Sequence, residues 1–221
     1  MNTPERCGAA YKQLVLKHCH DALEAAGFTR FRTEGVDWPF ENGFHCWVGL
    51  NSAVEPVYVE INPFVGVHVV PIEKLWTSMK IGKYPGKYSR GYATYAVHMG
   101  ELAPKERAFR FTRQTDVEAE AARLARLYVA VGLPYAQSMA SYELLLPLLQ
   151  SRILRLGAYP ERVASCLYLM DRKDEARAFV EEFVKQQPDY FEGFAVPFLK
   201  SLTHEERGRK STGSPFRRRC Q

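Results

Sequence analysis

The chain has 221 residues, 46% of them hydrophobic and 25% charged, an ordinary globular composition long enough to bury one large core or two small ones. Its start, Met1-Asn2-Thr3-Pro4-Glu5-Arg6, lacks a basic segment followed by an apolar run, and no later stretch approaches the roughly 18 uninterrupted apolar residues of a spanning helix; a soluble, cytoplasmic protein of bacterial type with no membrane partner is expected. The net charge of +5 belongs mostly to the end of the chain, where six basic residues from Arg207 to Arg219 face only Glu205 and Glu206, so the first 204 residues, with 24 basic and 23 acidic side chains, carry no large basic excess.

Thr3-Pro4 reads as a helix N-cap with proline at the first helical position, and Gly27 as the stop of a helix of some twenty residues. Tyr11, Val15, Cys19, Ala22, Leu23 and Ala26 form its apolar face. From Phe28 to about Met99 the pattern changes to short β-rich runs, at 28–32, 44–50, 57–61, 65–70 and 93–99. Such spacing predicts an antiparallel meander, with a short helix over 71–76 leaving the fourth strand, a long loop over 80–92 and a further strand at 109–113. A capping box, Thr115-Asp116-Val117-Glu118, opens a helix running to Gly132. A second helix spans about 135–156 with Pro147 predicting a kink or break. A third starts at Pro160, a fourth covers 173–187, and a last one 190–202. The fold expected is α+β: residues 1–113 as a helix on a mainly antiparallel sheet of four to six strands, 114–204 as a helical bundle, and 205–221 as a disordered basic tail. The stretch Ala164–Ala176 closing at Pro188 resembles one tetratricopeptide-type hairpin, without the further copies that a binding superhelix needs.

No nucleotide-binding, hydrolase or zinc-protease motif occurs, so no cofactor is expected and an enzyme is disfavoured. The five cysteines, Cys7, Cys19, Cys46, Cys166 and Cys220, contain no C-x-x-C pair and read as free thiols. Strand alternation places His45, Trp47, Tyr58, Glu60, His68, Thr94 and His98 on one sheet face if no bulge intervenes at Pro63 or Gly66. Converging, His45, His68 and His98 would suit a metal or acid–base chemistry; dispersed, they belong to a polar, aromatic face open to solvent or a partner. His18-Cys19-His20 is no chelate, because residues two apart on a helix point in nearly opposite directions. The loop 80–92 holds Lys80, Lys83, Lys87 and Arg90 with Tyr84, Tyr88 and Tyr92 and no acid, a composition for a protein-binding loop or for contacts to phosphates and bases.

The N-terminal amphipathic helix, the short-stranded sheet and the strand Phe64-Val65-Gly66-Val67-His68 running into a short helix together resemble the small cytosolic proteins of bacterial polymorphic-toxin loci. Many of those are immunity proteins, which occupy a toxin's active site or another essential surface. The resemblance implies a non-enzymatic binder whose partner is a protein, such as a toxin, with Trp47, Tyr58, His68, Lys83, Tyr84, Lys87, Tyr88, Arg90 and Tyr92 as contact residues. Two alternatives stand beside it: a metal-binding or enzymatic protein centred on His45, His68 and His98, and a nucleic-acid-binding protein acting through the loop and tail.

Overall fold

The computed structural model describes residues 6–31, 35–155 and 157–211, with side chains up to 204. The chain forms two compact units, one made of Met1–Pro71 and Ser89–Leu148, the other of Ile72–Tyr88 and Leu149–Gln221. The helices after residue 114 are therefore shared between the two. Among the described residues no helix is long and apolar enough to cross a membrane.

The first unit is an α+β layer pair. Helix α1 (Ala9–Ala25) buries Tyr11, Val15, Cys19 and Leu23, spaced four apart so that they share one stripe. It starts after Gly8; the expected Thr3-Pro4 start lies outside the described residues. Six antiparallel strands follow: β1 (Thr29–Phe31), β2 (Gly35–Pro39), β3 (Phe44–Val54), β4 (Val59–Val69), β5 (Tyr95–His98) and β6 (Phe109–Phe111). Their order is β1-β2-β3-β4-β5, with β6 also paired to β4. The runs expected at 57–61 and 65–70 are one strand. Pro63 falls between the stretch of β4 that β6 pairs (Val59–Ile61) and the stretch that β5 pairs (Phe64–Val67), where a missing N–H is best tolerated. Gly66 admits β5, since a Cβ there would stand 1.9 Å from the Tyr95 carbonyl oxygen. The register from Phe44↔Val69 to Val54↔Val59 thus runs without a slip.

One face of the sheet carries Cys46, Val59, Ile61, Val65, Val67, Val69, Phe109 and Phe111, all buried. It is covered by α1 and by the segment comprising α4 (Val117–Leu127), a wide π turn (Tyr128–Gly132) and α5 (Leu133–Gln137). Asp116, one residue into the expected capping box, is the N-cap of α4 and accepts from Ala119 N at 3.0 Å. Tyr128 is fully buried beneath the sheet, where its hydroxyl donates to the carbonyls of Gly49 (3.1 Å) and Phe64 (2.9 Å); burying such a ring contributes about 1.5–3 kcal/mol. The expected break at Pro147 is displaced. The chain breaks over 138–141, where the Ser141 hydroxyl accepts from Leu144 N (3.3 Å), and α6 (Tyr142–Gln150) runs through Pro147. One lost bond inside its second turn does not end the helix.

The second unit joins most of α2 (Val70–Met79) to α7 (Tyr159–Leu169), α8 (Lys173–Gln186) and α9 (Pro188–Ser211). Helices α7 and α8 form a hairpin turned at Asp171, whose φ is 58°. Phe183 of α8 meets Phe191 of α9 edge-on at 4.8 Å between centroids. Phe194, Phe198 and Leu202 continue the buried stripe of α9. The helix expected over 190–202 extends to Ser211, and the end of the expected tail, 212–221, lies outside the described residues.

Candidate functional site

On the open face of the first unit's sheet, unbroken register brings His45 and His68 side by side across β3 and β4, ring centroids 6.2 Å apart. His68 is buried and donates from Nδ1 to the Tyr92 carbonyl at 2.8 Å. His98 does not join them. It pairs opposite Phe64, four residues along β4 from His68, stacks edge-on against the Phe64 ring (4.9 Å) and uses its Nδ1 to accept from Gly100 N (2.9 Å) at the start of α3 (Met99–Leu102). The three imidazoles therefore do not converge, and among the described residues no group of three or more His, Cys, Asp or Glu side chains is placed to hold a metal ion.

The sheet instead supplies a buried carboxylate. Asp37 of β2 is only 2% exposed, and its Oδ2 is addressed by Arg90 Nη2 (2.5 Å) and by His45 Nδ1, which stands at 3.4 Å. Burial pushes this carboxyl's pKa up, but the neighbouring His45 and Arg90 groups outweigh it and hold the group below its ordinary value. Asp37 Oδ1, His45 Nδ1 and Arg90 Nε have no hydrogen-bond partner although buried. The Arg90 guanidinium also lies 4.9 Å from the Phe31 ring centroid. Trp47 Nε1 donates to the Gly91 carbonyl (3.2 Å), so residues 90–92 are sewn to the sheet at three points. Tyr92 is exposed. Tyr58 sits apart just before β4, beneath the Arg110 guanidinium (5.1 Å) and beside the Arg110–Glu60 pair.

The second unit holds residues 80–88. Lys80, at the end of α2, is buried and ion-paired with Glu161, and its Nζ lies 3.9 Å above the Tyr190 ring. The other Glu161 oxygen accepts from the Tyr190 hydroxyl (3.1 Å). Burial first, then the Glu161 charge and this hydrogen bond, raise the Tyr190 hydroxyl's pKa. Alongside, Arg162 binds Glu73 through Nε (2.7 Å) and Nη2 (3.1 Å), and Trp76 Nε1 donates to the same carboxylate (2.9 Å). Beyond Lys80 the loop folds onto α9. Pro197 lacks the N–H that would bond the Gly193 carbonyl within the helix. The Ile81 N–H takes that carbonyl at 2.9 Å. Only glycine fits at 193, because a Cβ would come 2.3 Å from the Ile81 oxygen.

Docked in this way, loop residues 80–84 and Asp189, Tyr190, Glu192, Gly193, Val196 and Pro197 of α9 line a cleft of about 420 Å3. Around it Ile81, Tyr84 and Val196 are 58%, 56% and 57% exposed. Lys83, whose Nζ lies 5.3 Å from the Tyr84 ring centroid, is exposed on the loop side, and Asp189 and Glu192 are exposed on the helix side. Lys87 is exposed further along, and Tyr88 is half-buried with Lys74 Nζ 5.8 Å over its ring.

Of the residues singled out in the sequence, Trp47, His68 and Arg90 thus belong with Asp37 in the first unit, whereas Lys83 and Tyr84 belong to the cleft of the second. Asp37, Ile81, Val196 and the carboxylates Glu73 and Glu161 were not foreseen. One available signal was the Gly193–Pro197 pair, four apart within a helical stretch, which marks a freed carbonyl that another backbone can approach. The thiols of Cys19 and Cys46 are pushed up to about 12, chiefly by burial, and so are inert packing groups. No protein-family model, curated protein or solved structure matches the chain.

Proposed function

We propose that this protein is a non-enzymatic protein-binding module that engages its partner through the cleft of the second unit, in the manner of a bacterial cytoplasmic immunity protein occupying a toxin surface. The observation that carries it is the exposure of Ile81, Tyr84 and Val196, each over half open, around a cleft whose loop wall is fixed by buried and backbone contacts. Large side chains held in place before association lose little freedom on binding, which is the character of interface anchors. Two of the loop's four basic residues, Lys80 and Arg90, are already committed to Glu161 and Asp37. That leaves Lys83 and Lys87 as accessible cations, few for a phosphate backbone, and favours a protein over a nucleic acid as partner.

The test is capture of the partner from the source organism, its identification by mass spectrometry, and reconstitution from the two purified proteins. A one-to-one complex weakened at least about tenfold by Ile81→Asp is expected. No complex, or one indifferent to Ile81→Asp and Tyr84→Ala, refutes this function.

A further inference from the structure

The two walls of the cleft carry opposite charge, and this defines what enters it. The loop wall offers one accessible cation, Lys83, because Lys80 is buried and paired with Glu161. The helix wall offers two accessible carboxylates, Asp189 and Glu192. Neither carboxylate forms an ion pair with a described residue at 4.0 Å or less. Both walls also carry apolar surface, Ile81 and Tyr84 on the loop side and Val196 and Pro197 on the helix side. A volume of about 420 Å3 is within the range of sites that bury a compact ligand or a few side chains.

We infer that the cleft is a socket for a peptide segment of a partner protein. In that segment one large apolar side chain is flanked by a basic residue, which faces Asp189 and Glu192, and on its other side by an acidic residue, which faces Lys83. The apolar side chain supplies affinity by covering Ile81, Tyr84 and Val196, while the flanking charges fix the direction in which the segment lies. With two carboxylates against one ammonium, the basic flank contributes more than the acidic one. An anionic ligand such as a phosphate is disfavoured, since it would have to approach Lys83 in a cleft that also holds the two carboxylates Asp189 and Glu192. The inference rests on the protein-binding function proposed above, but it can fail while that function stands.

Selection of a displayed random-peptide library on the immobilised full-length protein tests it without knowledge of the natural partner. Enriched peptides are expected to share an apolar residue with Arg or Lys on one side and Asp or Glu on the other. A synthetic peptide from that set, titrated calorimetrically, should lose at least about tenfold in affinity on Asp189→Lys with Glu192→Lys, and should bind more weakly as salt rises. Lys83→Glu should shift the enriched set so that a second basic residue replaces the acidic one. Peptides that enrich equally on the Ile81→Asp protein, or enrichment without a charge pattern that these variants move, overturn the inference. Absence of any enrichment overturns it too. If the reconstituted partner complex still depends on Ile81 in those cases, the partner presents a folded surface rather than a peptide, and only the present inference is lost.

Discussion

Each unit buries a charged cluster, and the two clusters are built differently. In the second unit's cluster every carboxylate oxygen has a donor: both oxygens of Glu73 face Arg162, one of them also Trp76, and those of Glu161 take Lys80 and Tyr190. In the first unit Arg90 hydrogen-bonds one oxygen of Asp37, while the other oxygen, Arg90 Nε and His45 Nδ1, which stands 3.4 Å from the carboxylate, have no hydrogen-bond partner. Buried charge is expensive unless matched bond for bond. The matched cluster acts as a lock that ties α2, α7 and α9 together beneath the cleft. The unmatched one holds residues 90–92 on the sheet at a cost in unsatisfied polar atoms.

Breaking the lock gives the largest expected effect. Arg162→Met leaves the Glu73 carboxylate buried without its cation and should destabilise the protein by about 3–5 kcal/mol, measured by chemical denaturation. Adding Glu73→Gln, which removes the charge but keeps an acceptor for Trp76, should recover most of that loss. A single variant within about 1 kcal/mol of the parent would mean that the cluster is not a lock. Next in size is Gly193→Ala. In an unobstructed helix this exchange stabilises by about 1 kcal/mol. Here the new methyl meets the Ile81 oxygen, so the sign should reverse, to a loss of about 1–3 kcal/mol. A gain in thermal stability would show that the loop can leave α9 without penalty.

These two clusters also mark where the sequence was legible. The antiparallel sheet, the covering helices and the shared face of His45, Trp47, Glu60, His68 and His98 follow from alternation and helical spacing, and the register carries that alternation through Pro63 and Gly66, whereas Tyr58 and Thr94, expected on the same face, stand just outside β4 and β5. What alternation does not encode is distance along a strand, so three histidines on one face could not be told from three that meet. Strand β2 was hidden because Gly35, Asp37 and Pro39 read as turn residues, and with it went Asp37, the centre of the first cluster. Glu73, Glu161 and Arg162 carry no local mark of burial, and Lys80 reads as one of the four cations of the loop 80–92. Their pairing joins residues more than eighty positions apart, which no local pattern reports. Ile81 is in sequence a lone apolar residue in a basic loop, and only the docking of that loop on α9 places it, exposed, in the cleft.

The first cluster can be sharpened by pH. Because the Asp37 carboxyl lies below its unfolded value of 3.8 in the fold, the unfolded chain binds the proton first as pH falls. Stability from this group is therefore complete above that value and is lost as pH drops through the lower, folded one. Asp37→Asn should remove this part of the acid-side slope and leave Arg90 without its carboxylate, so that hydrogen exchange at 89–92 speeds up at neutral pH. Unchanged exchange in that segment would mean that the Trp47 and His68 bonds alone hold it.

The smallest effect on stability is expected where the effect on binding is largest. The Tyr84 ring is more than half exposed, and the exposed Lys83 ammonium lies 5.3 Å from its centroid. Its removal strands no buried polar atom, so Tyr84→Ala should shift unfolding by no more than about 0.5 kcal/mol. An aromatic side chain kept in water on a fixed loop contributes nothing comparable to the lock beneath it, and under the proposed function its free energy is realised when a partner covers it. The same variant should therefore weaken the reconstituted complex while Arg162→Met, assayed well below its melting temperature, weakens it only as far as the cleft walls loosen. If Tyr84→Ala instead lowers the melting temperature as strongly as Gly193→Ala does, the ring is part of the packing that holds the loop to α9, and the exposed anchors of the cleft reduce to Ile81 and Val196.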